Sequence, residues 1–553
     1  MNDIKSWFNR GTPWVWLTGG AVSISLAMVL GLLFLIASRG LGHFWPADVF
    51  EADYLNPDGT QQKLIGELVE TESVEAARIR SSGIAVEEGV EWVTRWLVKL
   101  GNRDVGGQDF KSVIASHVSN VTTPEHLVVL ERREWGNFYG FLKAVKEAGQ
   151  TVAENDAAWA ELEKRLQRTN QLASAIQSLE KHEIGAVNYK LERLRLAERR
   201  LQLKNQYDDA ARGEIEAERN KLNTQFESLQ GTLSQLRVDI SRDSIIMEIA
   251  DGQQREIPLA KIVQAYRPNS MNGLTKTGFY FAQLWNFLSD DPREANTEGG
   301  IFPAIFGTVL MVVLMTLVVT PFGVVAAVYM REYAKQGWVT KTIRIAVNNL
   351  AGVPSIVYGV FGLGFFVYFL GAEMDKLFFP EAAPAPVFGT PGLLWASVTL
   401  ALLTVPVVIV STEEGLARIP SSVREGSLAL GATKFETLWK VVLPMSSPAM
   451  MTGLILAISR AAGEVAPLML VGVVKLAPAL PLDLNAPFLH LERKFMHLGF
   501  HIYDVGFQSP NVEAARPIVY ATAVLLVIVI AILNLTAVTM RNRLRERYRA
   551  LET

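Results

Sequence analysis

Residues 421–444 read SSVREGSLALGATKFETLWKVVLP and lie between two long apolar segments of the chain. Ser422 precedes Glu425, and Thr433 precedes Glu436, at the three-residue spacing of a capping box. A capping box marks the start of a helix, so the stretch predicts two short helices in succession.

Gly431 lies between the two predicted helices. Glycine can adopt a left-handed backbone conformation, and its missing side chain lets a partner's backbone come close. Pro444 is expected to end the second helix. The pattern therefore predicts a loop of two helices joined by a tight turn.

Apolar segments long enough to cross a membrane recur along the 553 residues. A helix of about 20 apolar residues crosses a bilayer core. The predicted spans are 14–38, 301–330, 345–370, 392–412, 448–474 and 516–540. The apolar run of the first span is too long for a cleaved signal, so it is predicted to be a signal anchor. Charged residues still make up 20% of the chain, so the protein is membrane-embedded only in part.

Basic residues accumulate in alternate short loops, and this bias predicts the orientation of the spans. The basic residues then placed in the cytoplasm are Lys5, Arg10, Arg331, Lys335, Lys341, Arg344, Arg418, Arg424, Lys434, Lys440, Arg541, Arg543, Arg545, Arg547 and Arg549. Those placed in short outer loops are Lys376, Lys475, Arg493, Lys494 and Arg516. Both termini, the first of them residues 1–13, are predicted to be cytoplasmic. Residues 39–300 are predicted to be periplasmic. The basic tail 541–553 is interpreted as a stop-transfer flank, with binding of anionic lipid or a partner as the alternative.

The polar region 39–297 predicts a separate domain with mixed secondary structure. Ile245–Ile249 and Ile257–Ile262 flank a turn and predict a hairpin of two strands. The segments Glu91–Leu100 and Phe138–Glu147 are predicted to be helices. Nothing in this region resembles a catalytic site.

A long helical hairpin is predicted over residues 155–240, which contain no proline. One apolar seam, spaced alternately by four and three residues as in a coiled coil, contains Leu222, Phe226, Leu229, Leu233, Leu236 and Ile240. A weaker seam upstream contains Leu162, Leu166, Ala173 and Ile176. The turn is expected between Lys181 and Gly213. Packing of the two arms on each other is preferred, and a partner chain covering the seam is the alternative.

Several classes of chemistry are excluded or disfavoured by composition. The chain has no cysteine, which excludes disulfides and thiolate catalysis, and its seven histidines form no metal-binding motif. The stretch Gly273–Thr277 lacks the second glycine of a phosphate-binding loop. No cofactor or catalytic residue is predicted, and the chain is not expected to hydrolyse ATP itself.

The loop resembles the EAA loop of ABC importer permeases, EAA-x3-G-x9-I-x-LP. The matching positions are Glu425, Gly431, Leu443 and Pro444. Gly426 and Ser427 replace the usual alanines, and Val441 replaces the usual isoleucine. The resemblance implies a coupling helix over Val423–Leu430, seated in a groove of an ATPase subunit. The residues it assigns to coupling are Glu425, Gly426, Ser427, Leu428, Gly431, Leu443 and Pro444.

Four segments in order resemble the A-type permease of the phosphate-specific ABC importer. They are GGIFP at 299–303, LAGVPSIVYG at 350–359, GSLALG at 426–431 and RAAGEVAPL at 460–468. The resemblance extends over residues 298–540 and leaves 39–297 uncovered. It implies an all-α membrane protein with a MetI-like permease core, a coupling loop over 412–447 and a bacterial inner-membrane location.

The resemblance also implies the partners and the work of the complex. The implied partners are a homologous second permease, two ATPase subunits that bind ATP-Mg and a periplasmic phosphate-binding protein. ATP-driven phosphate uptake is the implied function. Transport of another oxyanion, such as molybdate or sulfate, is an alternative, and so is a non-transporting signalling or scaffold role for the permease fold.

Charged residues inside a membrane by default mark a transport pathway. Arg460 and Glu464 lie four residues apart in the fifth predicted span and share a helical face. Arginine offers paired donors to phosphate oxygens, so both are candidates for the substrate path. Ser355 in the third predicted span is a further candidate. The alternatives are a structural ion pair and close packing of small residues.

Overall fold

The computed structural model describes residues 11–81, 89–509 and 512–548. Within these ranges six helices are long and apolar enough to cross a membrane, which confirms the predicted number. Spans 1 to 6 are Trp14–Gly42, Phe302–Tyr333, Ser355–Phe378, Leu393–Ala417, Lys434–Gly463 and Ala515–Arg543. The predicted cytoplasmic residues Lys5, Arg10 and Arg549 lie outside the described residues.

The third predicted span, 345–370, begins too early. The structure has a separate amphipathic helix over Trp338–Leu350, then a turn, and only then span 3 from Ser355. Pro354 explains the break, because a proline disfavours helical backbone in the residue before it and lacks an N–H to continue the helix.

The fifth predicted span, 448–474, is shifted toward the C-terminus by about three to four helical turns. Span 5 begins at Lys434, and its helix ends at Gly463, after which Glu464 has extended backbone. Pro444 does not end the helix, contrary to the prediction. A wider π-helical turn over Leu438–Val442 precedes it, so Pro444 falls in the first turn of a new α-helical segment, where its missing N–H costs little.

Span 4 is the centre of the membrane bundle. In its most apolar stretch 67% of the residues are buried, whereas none are buried in that of span 1. Spans 2 and 5 pack on it through close approaches at small residues: a side chain at Gly453 would collide with Ser411 of span 4. Span 1 stands at the edge and contacts span 6 where Gly40 meets Tyr520.

The domain inserted between spans 1 and 2, hereafter the inserted domain, contains two large antiparallel sheets, and a two-stranded ribbon of Pro292–Arg293 and Glu298–Gly299 lies just before span 2. The first has the strand order β4-β3-β2-β1-β5, with β1 Val49–Leu55, β2 Gln61–Glu75, β3 Trp92–Lys99, β4 Phe110–Ile114 and β5 Val118–Thr122. The second has the order β10-β9-β7-β6-β11, with β6 Leu127–Arg132, β7 Phe138–Glu147, β8 Gln150–Glu154 (paired with β7), β9 Asp243–Glu248, β10 Gln254–Pro258 and β11 Ile262–Tyr266.

Two predicted helices of the inserted domain are strands. Glu91–Leu100 corresponds to β3 and Phe138–Glu147 to β7, and both pair with neighbours on each side. Their β-branched and aromatic residues fit a pleated surface, and pairing on both edges outweighs any helical spacing. The predicted strand hairpin is confirmed, since Ile257 of β10 pairs with Ile245 of β9.

The predicted helical hairpin is confirmed. Its first arm consists of helices Asp156–Ser178 and Gly185–Leu203 joined by a π-helical turn, and its second arm is Asp209–Ile240. The turn between the arms lies within the predicted interval. Two ion pairs, Arg237 with Glu180 (2.7 Å) and Arg219 with Glu198, hold the arms together.

The apolar seams are less uniform than predicted. Leu222 is buried between the arms, but Leu162 and Leu166 pack on the second sheet of the inserted domain. The regular coiled-coil seam stays a prediction. The packing of the first helix on the sheet fixes the direction in which the hairpin leaves the domain.

The hairpin reaches back to the membrane bundle. Arg200 forms an ion pair with Glu381 in the 379–392 loop, which joins spans 3 and 4. The Tyr189 hydroxyl and the Arg193 guanidinium donate to the carbonyl of Ala486 in the 472–497 loop, at 2.7 and 3.2 Å. The hairpin therefore lies across two loops at the end of the bundle that carries the inserted domain.

Candidate coupling and translocation site

The loop between spans 4 and 5 lies at the opposite end of the bundle. It contains one short helix, Ser421–Ala429, followed by a turn and by the first turns of span 5. Gly431 has a φ of 90°, in the left-handed region, as predicted for the turn. Most other residues would be strained there.

One of the two predicted capping boxes is formed. The Thr433 hydroxyl accepts from the Glu436 amide at 3.2 Å, and the Glu436 carboxylate accepts from the Thr433 amide at 3.0 Å. The other prediction, at Ser422, is wrong. The helix already begins at Ser421 because Pro420 sets its start, so Ser422 lies inside the first turn.

Arg424 fixes the short helix to the membrane bundle. Its guanidinium donates to the carbonyls of Leu416 (2.8 Å) and Ile419 (2.6 Å) at the end of span 4. It also donates to the Glu332 carboxylate at the end of span 2, at 2.8 Å. The helix is thus tied to two spans through one side chain.

The loop is also connected to span 5. The Ser427 and Thr437 hydroxyls are hydrogen-bonded at 2.9 Å, and Lys434 donates to the carbonyl of Glu332 at 2.5 Å. A cleft of about 270 Å³ lies here, lined by Glu332, Arg424, Leu428, Lys434, Thr437 and Leu438. A displacement of the loop would therefore act on spans 2, 4 and 5 together.

Four apolar side chains of the loop and of the first turns of span 5 are exposed. Leu430 is 90% exposed and Leu428 46%, while Phe435 and Trp439 are stacked on each other with ring centroids 6.3 Å apart and are 66% and 65% exposed. Exposed apolar clusters of this kind mark interaction surfaces. Sequence reasoning missed Phe435 and Trp439, although their four-residue spacing on a capped helix was a usable signal.

The other predicted loop residues have different surroundings. Glu425 and Gly426 are exposed, and the space around Gly426 is open. Leu443 and Pro444 are half-buried beside Val442, which packs in the apolar cluster beneath the loop. Leu443 and Pro444 therefore lie beneath the loop, whereas Glu425 lies on its exposed surface.

Arg460 in the last turn of span 5 and Glu464 just beyond it lie close together, but the helix ends at Gly463, so the predicted shared helical face does not extend to Glu464. Arg460 Nε lies 3.5 Å from Glu464 Oε1, and their side chains are 32% and 21% exposed. The distance is longer than the 2.7–2.9 Å of a strong charged hydrogen bond. The guanidinium therefore keeps donors that a ligand could use.

Span 3 and the segment after span 5 are in close contact. A side chain at Gly359 would come within 2.7 Å of Pro467 Cα, so this glycine is explained by close packing. Tyr358 is buried beside it and donates to the Leu350 carbonyl at 2.7 Å. Ser355 is half-buried one turn earlier, at the first residue of span 3.

A polar contact between spans 5 and 6 was not predicted. The Ser459 hydroxyl donates to the Asn534 amide oxygen at 2.9 Å, next to Arg460 in the chain. Asn534 is an amide in the apolar middle of span 6, which was the available signal. The two residues add hydrogen-bonding groups to the same region of the bundle.

Six spans and a loop with an exposed apolar surface fit a membrane permease. Comparison with known proteins agrees. The family model for binding-protein-dependent transport system inner membrane components matches residues 319–550. The chain belongs to the family of ABC transporter permeases.

Three relatives illustrate the match. The probable ABC transporter permease protein YqgH of Bacillus subtilis is 33% identical over 38% of this chain and 64% of its own length. The phosphate transport system permease protein PstA 1 of Mycobacterium tuberculosis is 29% identical over 52% of this chain and 83% of its own. The probable ABC transporter permease protein YqgI of Bacillus subtilis is 30% identical over 48% of this chain and 84% of its own. The resemblance to A-type phosphate permeases is thereby confirmed.

Proposed function

We propose that this chain is a translocating subunit of an ATP-driven phosphate importer in a bacterial inner membrane. The loop of residues 418–433 supports the proposal most directly, because it presents exposed apolar residues on a rigid base tied to three spans. The four segments that resemble A-type phosphate permeases, and a relative named as a phosphate transport permease, support phosphate as the substrate.

The basic residues of the short loops support the orientation. Because consecutive spans alternate in direction, the loop 418–433 and the segment 334–354 share one end of the bundle, and the inserted domain lies at the other. The first end carries Arg331, Lys335, Lys341, Arg344 and Arg418, in keeping with a cytoplasmic location. The inserted domain is then periplasmic.

Coupling follows from the attachment of the loop. An ATPase subunit that binds ATP-Mg receives Leu428 and Leu430, together with the Phe435–Trp439 stack, in an apolar groove. Its movement during hydrolysis pulls on Glu332 and on the end of span 4 through Arg424. The same movement reaches span 5 through the Ser427–Thr437 contact.

The anion path is assigned to the region around Arg460. Its guanidinium is partly exposed and only loosely paired with Glu464, so it can bind a phosphate oxygen transiently. Ser355 is included as a candidate from span 3. A second permease, related in sequence, completes the path, and a periplasmic phosphate-binding protein delivers the anion.

Uptake by the reconstituted complex tests the proposal. Proteoliposomes containing this chain, the second permease and the ATPase subunits should accumulate labelled phosphate when ATP and the binding protein are supplied. Excess unlabelled phosphate should abolish the signal, and molybdate or sulfate should not. Competition by molybdate or sulfate would assign another oxyanion, and absence of ATP-dependent flux in an assembled complex would favour a scaffold role.

A further inference from the structure

The helix that joins the inserted domain to span 2 carries an exposed apolar stripe. This connecting helix is Gly273–Ser289. Leu274, Phe281 and Trp285 are 87%, 62% and 68% exposed. Their spacings of seven and four residues place them on one face of the helix.

The other faces of the connecting helix are occupied. Leu284, Phe287 and Leu288 pack on the apolar cluster at the end of the bundle. Phe279 contacts Tyr266 of β11 with ring centroids 4.6 Å apart, and the helix is thus fixed to the second sheet. The exposed stripe is the face of the connecting helix that packs on neither the bundle nor the sheet.

Contacts with the ends of spans 1 and 2 fix the position of the connecting helix along the bundle axis. Phe44 and Trp45, just beyond the end of span 1 at Gly42, lie 5.1 Å from the Phe287 ring and 6.2 Å from the Tyr280 ring. The amide of Ile301, the residue before span 2, donates to the Phe287 carbonyl at 2.8 Å. The second half of the helix therefore lies beside the ends of spans 1 and 2.

We propose that Phe281, Trp285 and Trp45 form a contact surface for the lipid leaflet at this end of the bundle. Trp45 is itself 46% exposed, and aromatic side chains, tryptophan above all, prefer the headgroup boundary. The stripe continues the lipid-facing surface of span 1, whose apolar stretch has no buried residue. Since the same helix holds β11 through Phe279, the contact anchors the inserted domain on the bilayer.

Site-directed spin labelling can test this contact, because the chain has no native cysteine. Single variants Phe281→Cys and Trp285→Cys, labelled with a nitroxide and placed in lipid nanodiscs, should be relaxed strongly by oxygen and weakly by a water-soluble nickel chelate. Val238→Cys is the control, since Val238 is 65% exposed on the polar second arm of the hairpin. Its label should show the opposite preference.

Two results would overturn the lipid contact. Nickel accessibility at positions 281 and 285 equal to that at 238 would place the stripe in water. Labels shielded from both reagents when the second permease is present, yet open to nickel in the isolated subunit, would assign the stripe to a protein interface. Neither measurement depends on transport, so the outcome is separate from that of the proposed function.

Discussion

Arg200, near the tip of the helical hairpin, forms an ion pair with Glu381, which lies 181 residues away in the loop between spans 3 and 4. The Arg200 Nε donates to Glu381 Oε1 at 3.0 Å, and the carboxylate is only 2% exposed. On the same arm, Tyr189 and Arg193 hold the Ala486 carbonyl of the 472–497 loop. The hairpin thus connects two loops that belong to different pairs of spans.

Glu381→Gln should loosen the hairpin tip. The amide keeps the shape of the side chain but loses the charge that Arg200 binds. We expect the free energy of docking to weaken by about 1 kcal/mol, which increases the fraction of molecules with an undocked hairpin tip roughly fivefold. Trypsin cleavage after Lys204, in the turn between the arms, should accelerate accordingly. Glu192→Gln is the matched control, since Glu192 pairs only locally with Arg195 in an exposed position. Equal cleavage rates in the two variants would show that the Arg200 contact does not hold the tip.

Docking of the hairpin should weaken in acid. Burial opposes ionisation of Glu381, but the hydrogen bonds from Arg200 outweigh it and lower the pKa below its ordinary value of 4.5. In the same way Arg493 and His490 overcome burial and lower the pKa of Asp483, in the second loop, to about 2. A lowered pKa adds stability above the pKa of the unfolded state, and that stability is lost as the pH falls further.

Hydrogen exchange at the tip between pH 7 and pH 3 measures this dependence. Protection relative to the intrinsic exchange rate should be constant down to about pH 4.5 and fall below it. Glu381→Gln should reduce the dependence, because its amide does not titrate. A profile identical in wild type and variant would exclude Glu381 as the responsible group.

Tying the hairpin to the second loop should stop transport, if phosphate import is the function. Spans 3 and 5 contain the proposed path, and we expect the loops that follow them to separate when the path opens at this end. Arg193→Cys with Ala486→Cys, joined by a short thiol cross-linker that reductant cleaves, should lose uptake and regain it on reduction. Each single cysteine variant, treated identically, is the control. Full uptake in the cross-linked protein would show that these contacts persist through the cycle.

The sequence predicted elements that local pattern specifies and missed those that distant contacts determine. Hydropathy located six spans, and the glycine and capping signals located the turn at Gly431. The strand Phe138–Glu147 was mistaken for a helix because pairing with β6 and β9 decides its structure. The docking of Arg200 on Glu381 joins segments whose proximity no local pattern encodes. The prediction that Pro444 ends a helix was wrong because the preceding π-helical turn cannot be recognised in the sequence.

Gly431→Val should uncouple the ATPase without unfolding the membrane bundle. The backbone at 431 has a φ of 90°, where a β-branched residue is strained by about 1–2 kcal/mol or more, although the space around the glycine is open. Copurification of the ATPase subunits, or stimulation of ATP hydrolysis by the binding protein, should fall. Gly426→Ala is the matched control, because Gly426 is helical with open space around it and alanine should stabilise the helix by about 0.5–1 kcal/mol. Normal coupling in Gly431→Val would remove the turn from the mechanism.

Arg460→Gln should abolish phosphate uptake and leave complex assembly largely intact. The pair with Glu464 is long, at 3.5 Å, and both side chains are partly exposed, so loss of the charge should not leave a fully buried carboxylate without a partner. Arg460→Lys should recover only part of the uptake, because an ammonium keeps the charge but lacks the planar pair of donors. Yield of the assembled complex and initial rate of labelled phosphate uptake are the two measurements.

The double variant Arg460→Gln with Glu464→Gln separates a role in the path from a structural one. If the arginine only balances the glutamate, each single variant should lower assembly, and the double variant should restore assembly and uptake together. If Arg460 binds the anion, the double variant should assemble and still fail to transport, because no guanidinium remains to replace the water around phosphate. Restored uptake in the double variant would therefore remove Arg460 from the path, whatever the yields of the single variants.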